Sequence, residues 1–162
     1  MIDKPLLKTN EQQPLSMPGL VELLRAVLGN GVSVRFRARG FSMSPFIKDN
    51  DIVTLTPLRN QKPGLGDVLA FVPPETNHLL IHRVIEKSNG TYRFKGDNTL
   101  EADGSISGTH LLGRVKRVER DGRKIYLGLG PERILIALLN RNGFLSPLLV
   151  PLRKVIRSIV KK

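Results

Sequence analysis

The sequence predicts a mainly β chain: an antiparallel β domain flanked by a helix at its N-terminal end and a helical tail at its C-terminal end. Three observations predict it. The apolar period changes from helical to two near Val32, short apolar runs then alternate with Gly, Pro and Asn turn signals, and the helical period returns after Gly130.

Residues 1–16 are polar and read as a disordered lead-in. Pro18 stands where helix-initiating prolines stand, and Leu20, Val21, Leu23, Leu24, Val27 and Leu28 recur at helical spacing until Gly29-Asn30-Gly31 ends the helix, which spans 17–30. From residue 31 to 129 the chain reads as the β domain. Val34, Phe36 and Ala38 alternate with Arg35, Arg37 and Arg39, giving a strand with one buried and one basic face. Further strands are expected at Asp51–Thr56, Asp67–Val72, Leu79–Glu86, Thr91–Lys95, Gly113–Arg120 and Lys124–Gly128. Between them lie Lys62-Pro63-Gly64, Pro73-Pro74, Ser88-Asn89-Gly90 and Asp121-Gly122, the last a good hairpin signal.

Residues 130–162 form the tail. Leu152, Val155, Ile156, Ile159 and Val160 fall on one face of a helix, and Arg153, Lys154, Arg157, Lys161 and Lys162 fill the other. A basic amphipathic helix of this type can lie in the headgroup region of an anionic membrane. The alternative is that its apolar stripe packs on the β domain and its charges are solvated.

Composition narrows the functions. The formal charge is +12, which calls for a polyanionic neighbour, either nucleic acid or an anionic membrane surface. Residues 131–162 carry seven basic residues and one acid, so half the net charge sits where the chain is most apolar. That coincidence favours a membrane surface. Tryptophan is absent and aromatics make up 5%, which argues against a base-stacking nucleic-acid platform. With no cysteine, disulfides, thiol chemistry and cysteine-ligated zinc are excluded. No cofactor motif is present. His78 and His82, four apart, are the one pair that suggests a metal, and no third ligand lies near them in sequence. The opening residues lack a signal-peptide core, and the longest apolar run, Ile134 to Leu139, falls well short of the roughly 18 residues a spanning helix needs. The expected location is peripheral to a membrane or cytoplasmic.

Three segments can carry chemistry. In Gly40-Phe41-Ser42-Met43-Ser44-Pro45, glycine before and proline after favour a sharp turn that exposes the Ser42 hydroxyl. A serine in such a loop is also an ordinary turn residue. His82 lies within the apolar run Leu79 to Ile85 and needs a hydrogen-bond partner, as a catalytic or a core histidine would. Asp97 and Asp103 sit in turn-prone sequence, as turn caps or as carboxylates for that imidazole.

The order of these motifs resembles the signal peptidase I family of serine endopeptidases. Ser-Met-x-Pro at Ser42 is followed by Asn50-Asp51-Ile52-Val53, Gly66-Asp67-Val68-Leu69-Ala70-Phe71, His82-Arg83-Val84-Ile85, Lys95-Gly96-Asp97-Asn98 with Asp103 six residues on, and Gly113-Arg114-Val115. The match runs from about Arg39 to Arg117. It is closest to the Ser-His-Asp branch found in the endoplasmic reticulum and in archaea, because His82 stands where the better-known bacterial enzymes carry lysine. The resemblance implies an antiparallel signal-peptidase/LexA-like β fold and cleavage of precursor or signal peptides at or near a membrane surface. It implies Ser42 as nucleophile, His82 as general base, Asp103 as the carboxylate orienting the histidine, and Asp97 as a second aspartate close to it. It also implies an oxyanion site made by backbone at Ser42 and Gly40. Several family members carry a serine hydroxyl two residues before the nucleophile, where this chain has Gly40, and one such donor is worth about 3 kcal/mol.

The chain departs from the family in three respects: the usual N-terminal membrane anchor is missing, Phe41 and Phe46 stand where small or polar residues are commoner, and the apolar tail has no counterpart. Two alternatives of other classes stand beside this reading. One is a self-cleaving repressor-type regulatory module, which would pair serine with lysine. The other is a non-catalytic basic β module that binds nucleic acid.

Overall fold

Helix α1 (Met17–Gly29) opens the part of the chain described by the computed structural model, residues 16–149. Ser16 caps it, its Oγ accepting the Gly19 N–H at 3.4 Å, and Pro18 needs no donor partner in the first turn. Its apolar face buries Val21, Leu24 and Leu28. Eight strands follow: β1 (Val34–Arg37), β2 (Ile52–Thr56), β3 (Val68–Phe71), β4 (Leu80–Ser88), β5 (Thr91–Lys95), β6 (Ser105–Ser107), β7 (Leu111–Arg120) and β8 (Arg123–Ile125). Helix α2 (Arg133–Arg141) comes after them.

The fold is a mainly antiparallel β sheet with short helices. Its strand order is β1-β2-β7-β3-β4-β5-β6, with β8 paired to β7. The ten-residue β7 is the long member that ties the sheet together. Its first half pairs with β3, its second half with β2 and β8. Bulges at Thr54/Leu55, Ala70/Phe71 and Val84/Glu86 break the register and let the sheet bend around two cores.

Period two explains how one strand serves both cores. All four residues of β3 are buried. Val68 and Ala70 join α1, Val53, Leu55 and Val115 on one face, while Leu69 and Phe71 join Val84, Tyr92, Phe94 and Ile106 on the other. Phe71 and Phe94 stack at 4.1 Å between centroids. A third cluster of Phe46, Ile136, Leu145 and Leu149 attaches α2 to the loop before β2.

The hairpin expected at Asp121-Gly122 is present, and the turn expected at Ser88-Asn89-Gly90 also closes a hairpin. Asn89 and Gly90 have φ of 42° and 81°, and Asp121 and Gly122 have 49° and 74°, so both central residues are left-handed as type I′ turns require.

Two strand expectations change. β8 ends at Ile125 rather than continuing to Gly128, because Leu129 N–H turns back to the Tyr126 carbonyl. The Glu132 carboxylate then accepts from Gly128 N–H at 2.7 Å and Gly130 N–H at 3.1 Å. β6, followed by a 3₁₀ turn at Gly108–His110, was not expected. The disordered lead-in, but for Ser16, and the amphipathic helix expected over 152–160 lie outside the described residues. No helix among the described residues is long and apolar enough to cross a membrane.

Candidate active site

The basic strand β1 runs out at Arg37, and the chain is held to the start of β2 by Ala38 N–H to the Asp51 carbonyl at 2.7 Å and Asn50 N–H to the Ala38 carbonyl at 2.9 Å. Gly40 then takes φ +94°, a conformation that glycine adopts freely and other residues rarely. Phe41 to Ile47 form successive tight turns, with Ser44 N–H to the Phe41 carbonyl and Phe46 and Ile47 N–H to the Met43 carbonyl. Buried Met43 and Ile47 anchor this loop in the core and leave Ser42 half-buried at its top. The Ser44–Pro45 peptide is cis.

Asp51, 2% exposed, ties down the loop's far end. It accepts Arg120 Nε at 2.8 Å and Nη2 at 2.7 Å, and Lys48 N–H at 2.8 Å. The hydrogen bond to Asp51 raises the Arg120 pKa above its ordinary value, outweighing the opposing effect of burial.

His82 sits on β4 opposite Leu69 and is buried. Its Nδ1 donates to Asp103 Oδ2 at 2.6 Å, and the edge of its ring meets Phe71 at 6.2 Å between centroids. A carboxylate can only accept, so the neutral ring must carry its proton on Nδ1 and leave Nε2 bare. Asp103 is itself held by its N–H to the Phe94 carbonyl at 2.8 Å.

The segment after β5 joins the serine loop to the histidine. Asn98 N–H donates to the Ser42 carbonyl at 2.7 Å, and Asn98 Nδ2 to the Phe41 carbonyl at 3.1 Å. A methyl group at Gly96 would meet the Ser42 carbonyl oxygen at 2.7 Å and His82 Nε2 at 3.2 Å. Both groups therefore crowd the same backbone position, and only glycine fits between them. Ser42 and His82 also line one cavity of about 190 Å³, together with Gly40, Met43 and Leu79. No hydrogen bond joins Ser42 to His82 among the described residues. Long nucleophile–base contacts are usual in unliganded sites and tighten when substrate binds.

The other expected residues fall elsewhere. Asp97 makes no hydrogen bond to His82 among the described residues. It is fully buried and takes Arg83 in a two-pronged pair, Nε to Oδ1 at 2.8 Å and Nη2 to Oδ2 at 2.6 Å. Arg83, also fully buried, sends Nη1 to the Gly66 and Gly128 carbonyls at 2.9 and 2.8 Å. Gly40 is not available as an oxyanion donor, because its one N–H is spent on Asp49 Oδ1 at 2.9 Å. The Ser42 N–H makes no hydrogen bond among the described residues. His78 is exposed in the loop before β4, outside the strand that carries His82. Among the described residues no three His, Cys, Asp or Glu side chains gather as a metal site.

Sequence reasoning missed Arg83, Asn140 and Lys95. Asn140 of α2, 1% exposed, donates Nδ2 to Asp97 Oδ1 at 3.1 Å and to the Gly96 carbonyl at 3.3 Å, and its own carbonyl accepts Lys95 Nζ at 3.0 Å. The one available signal was an arginine inside an apolar strand, which must find partners when buried.

No model of a known protein family matches the chain, and a search of curated proteins finds no match.

Proposed function

We propose that the chain is a serine endopeptidase of the signal peptidase I type, in its Ser-His-Asp branch, acting on precursor or signal peptides at a membrane surface. The observation that carries this reading is the His82–Asp103 hydrogen bond of 2.6 Å on the wall of the cavity that Ser42 also lines. A serine hydroxyl, an imidazole with Nε2 bare and a carboxylate on Nδ1 are the parts that acyl transfer needs.

The substrate lies extended. Among the described residues β1 pairs only with β2, and Leu80 to His82 pair only with β3 before β5 joins at Arg83. Two strand edges therefore flank the cavity, and a peptide laid between them satisfies their free backbone groups. Ser42 Oγ attacks the scissile carbonyl while its proton passes to His82 Nε2, and Asp103 stabilises the imidazolium. The imidazolium then protonates the leaving amine, and water hydrolyses the Ser42 ester by the same relay in reverse. The Ser42 N–H supports the oxyanion.

The test incubates the full chain and its Ser42→Ala and His82→Ala variants with a signal-peptide-bearing precursor in lipid. Cleavage by the wild type, reduced at least about a thousandfold in each variant, is the expected outcome. Cleavage that persists in both variants, or none by the wild type, rejects the assignment.

A further inference from the structure

Beside the catalytic groups, the same cavity carries a cationic rim that the chemistry of acyl transfer does not use. Arg37 and Arg39 both line it, and no aspartate or glutamate among the described residues does. The carboxylates close to this loop are already engaged: Asp49 by Gly40 and Asn50, Asp51 by Arg120 and Lys48, and Asp103 by His82. The three arginines of the alternating segment differ in their partners. Arg35, on β1, is paired with Glu119 of β7. Arg39 Nη1 donates to the neutral Asn50 Oδ1 at 2.8 Å. Arg37 is exposed, and its side chain has neither a hydrogen bond nor an ion pair among the described residues. The cation left uncompensated is therefore one that lines the cleft. The rest of the wall is apolar, with Leu20, Ala38, Met43, Ile47, Leu79 and Ile81.

We infer that this cleft selects an extended peptide carrying an aspartate or glutamate side chain, held by Arg37 with Arg39 beside it, while apolar residues of the same peptide fill the remaining wall. The inference rests on the protease reading for what happens next to that peptide, but not for the binding itself. A guanidinium presents a fork of N–H donors that fits a carboxylate through two parallel hydrogen bonds, and neutral or basic side chains cannot reproduce that contact. The chain's net charge of +12 adds long-range attraction for an acidic peptide, which salt screens.

The experiment separates binding from turnover. Full-length Ser42→Ala protein is titrated with one extended peptide in which a single Asp, Asn or Lys is moved through successive positions, each made with a free and an amidated C-terminus. At one or two positions the Asp peptide binds about three- to tenfold tighter than the Asn peptide at low ionic strength, as an exposed ion pair allows. Arg37→Gln in the Ser42→Ala background abolishes that preference, and Arg37→Glu turns it towards Lys. Equal affinity for Asp and Asn peptides overturns the inference, as does a preference that survives Arg37→Glu or one that depends only on the free C-terminus. Failure to bind any of the peptides overturns it too. Wild-type hydrolysis of the same peptides keeps the two readings apart. Cleavage without charge preference removes the acidic subsite and leaves the protease, whereas charge-selective binding without Ser42-dependent cleavage removes the protease and leaves the subsite.

Discussion

At the residue scale, the two aspartates near the site have different surroundings and therefore different expected costs. Asp103 bonds the imidazole and is partly open to solvent, with 22% of its side chain exposed. Asp103→Asn should lower kcat by about a thousand- to ten-thousandfold, because the amide no longer holds the tautomer or supports the imidazolium. Its thermal midpoint should barely move. Asp97→Ala strands the fully buried Arg83 and should cost about 3–5 kcal/mol of stability. Urea unfolding, together with kcat measured well below both transitions, checks the pair. Wild-type stability with lost turnover in Asp97→Ala would exchange the two roles. The ordered Ser, His and Asp motifs were legible in the sequence, as was the ranking of Asp103 ahead of Asp97. What was hidden is where Asp97 goes. Its partner Arg83 is next to His82 in sequence and points to the opposite face of β4, a consequence of strand alternation that only the completed sheet makes visible. The loss of the Gly40 donor was equally hidden, since it depends on Asp49 returning nine residues later to take that N–H.

At the scale of elements, strands announced by alternation and bounded by turn residues were legible: Thr91–Lys95 forms as expected, and β2, β3, β4 and β7 differ by a residue or two at their ends. β6 was not, because Ser105-Ile106-Ser107 has one apolar residue and no period; it becomes a strand by pairing with β5. The shortening of β8 also came from outside its own sequence. Glu132, leading into α2, draws Gly128 and Gly130 into a turn, and backbone N–H groups, its own first and then those of Gly128 and Gly130, lower its pKa against the opposing effect of burial. A carboxyl held below its ordinary value in the folded state stabilises the fold above the unfolded glutamate pKa and loses that contribution as pH falls through the lowered one. Wild type should therefore be more stable than Glu132→Gln at neutral pH. The gap should close on acidification below the ordinary glutamate range, as read from urea midpoints at stepped pH. A gap that stays constant down to strongly acidic pH would remove the ionised carboxylate from the account of this turn.

At the scale of the molecule, α2 has two faces with different fates. Ile136, Ala137 and Asn140 are buried, Ile136 in the cluster around Phe46 and Asn140 against the Gly96 carbonyl and the Asp97 carboxylate. Ile134, Leu135 and Leu138 remain 46%, 60% and 40% exposed, and Phe144 and Leu148 beyond the helix are 63% and 58% exposed. Such a run of exposed apolar side chains is costly in water unless something covers it. Residues 131–162 carry seven basic residues against one acid, so the cover we propose is an anionic lipid surface, whose charge would complement this end of the chain. Removing α2 would be a poor test, since its inner face helps hold Asp97. The full chain with Ile134→Gln, Leu135→Gln and Leu138→Gln together leaves that inner face intact, and surface substitutions of this kind cost about 0.5 kcal/mol or less each. Sedimentation with vesicles rich in phosphatidylglycerol should show strong binding by the wild type, weaker binding as salt rises, and at least about a tenfold loss in the triple variant as apolar area is withdrawn from lipid. Equal binding by wild type and variant would move the contact away from α2. Binding as tight to neutral vesicles as to anionic ones would detach the chain's positive charge from any role in bringing the Ser42 cleft to a membrane.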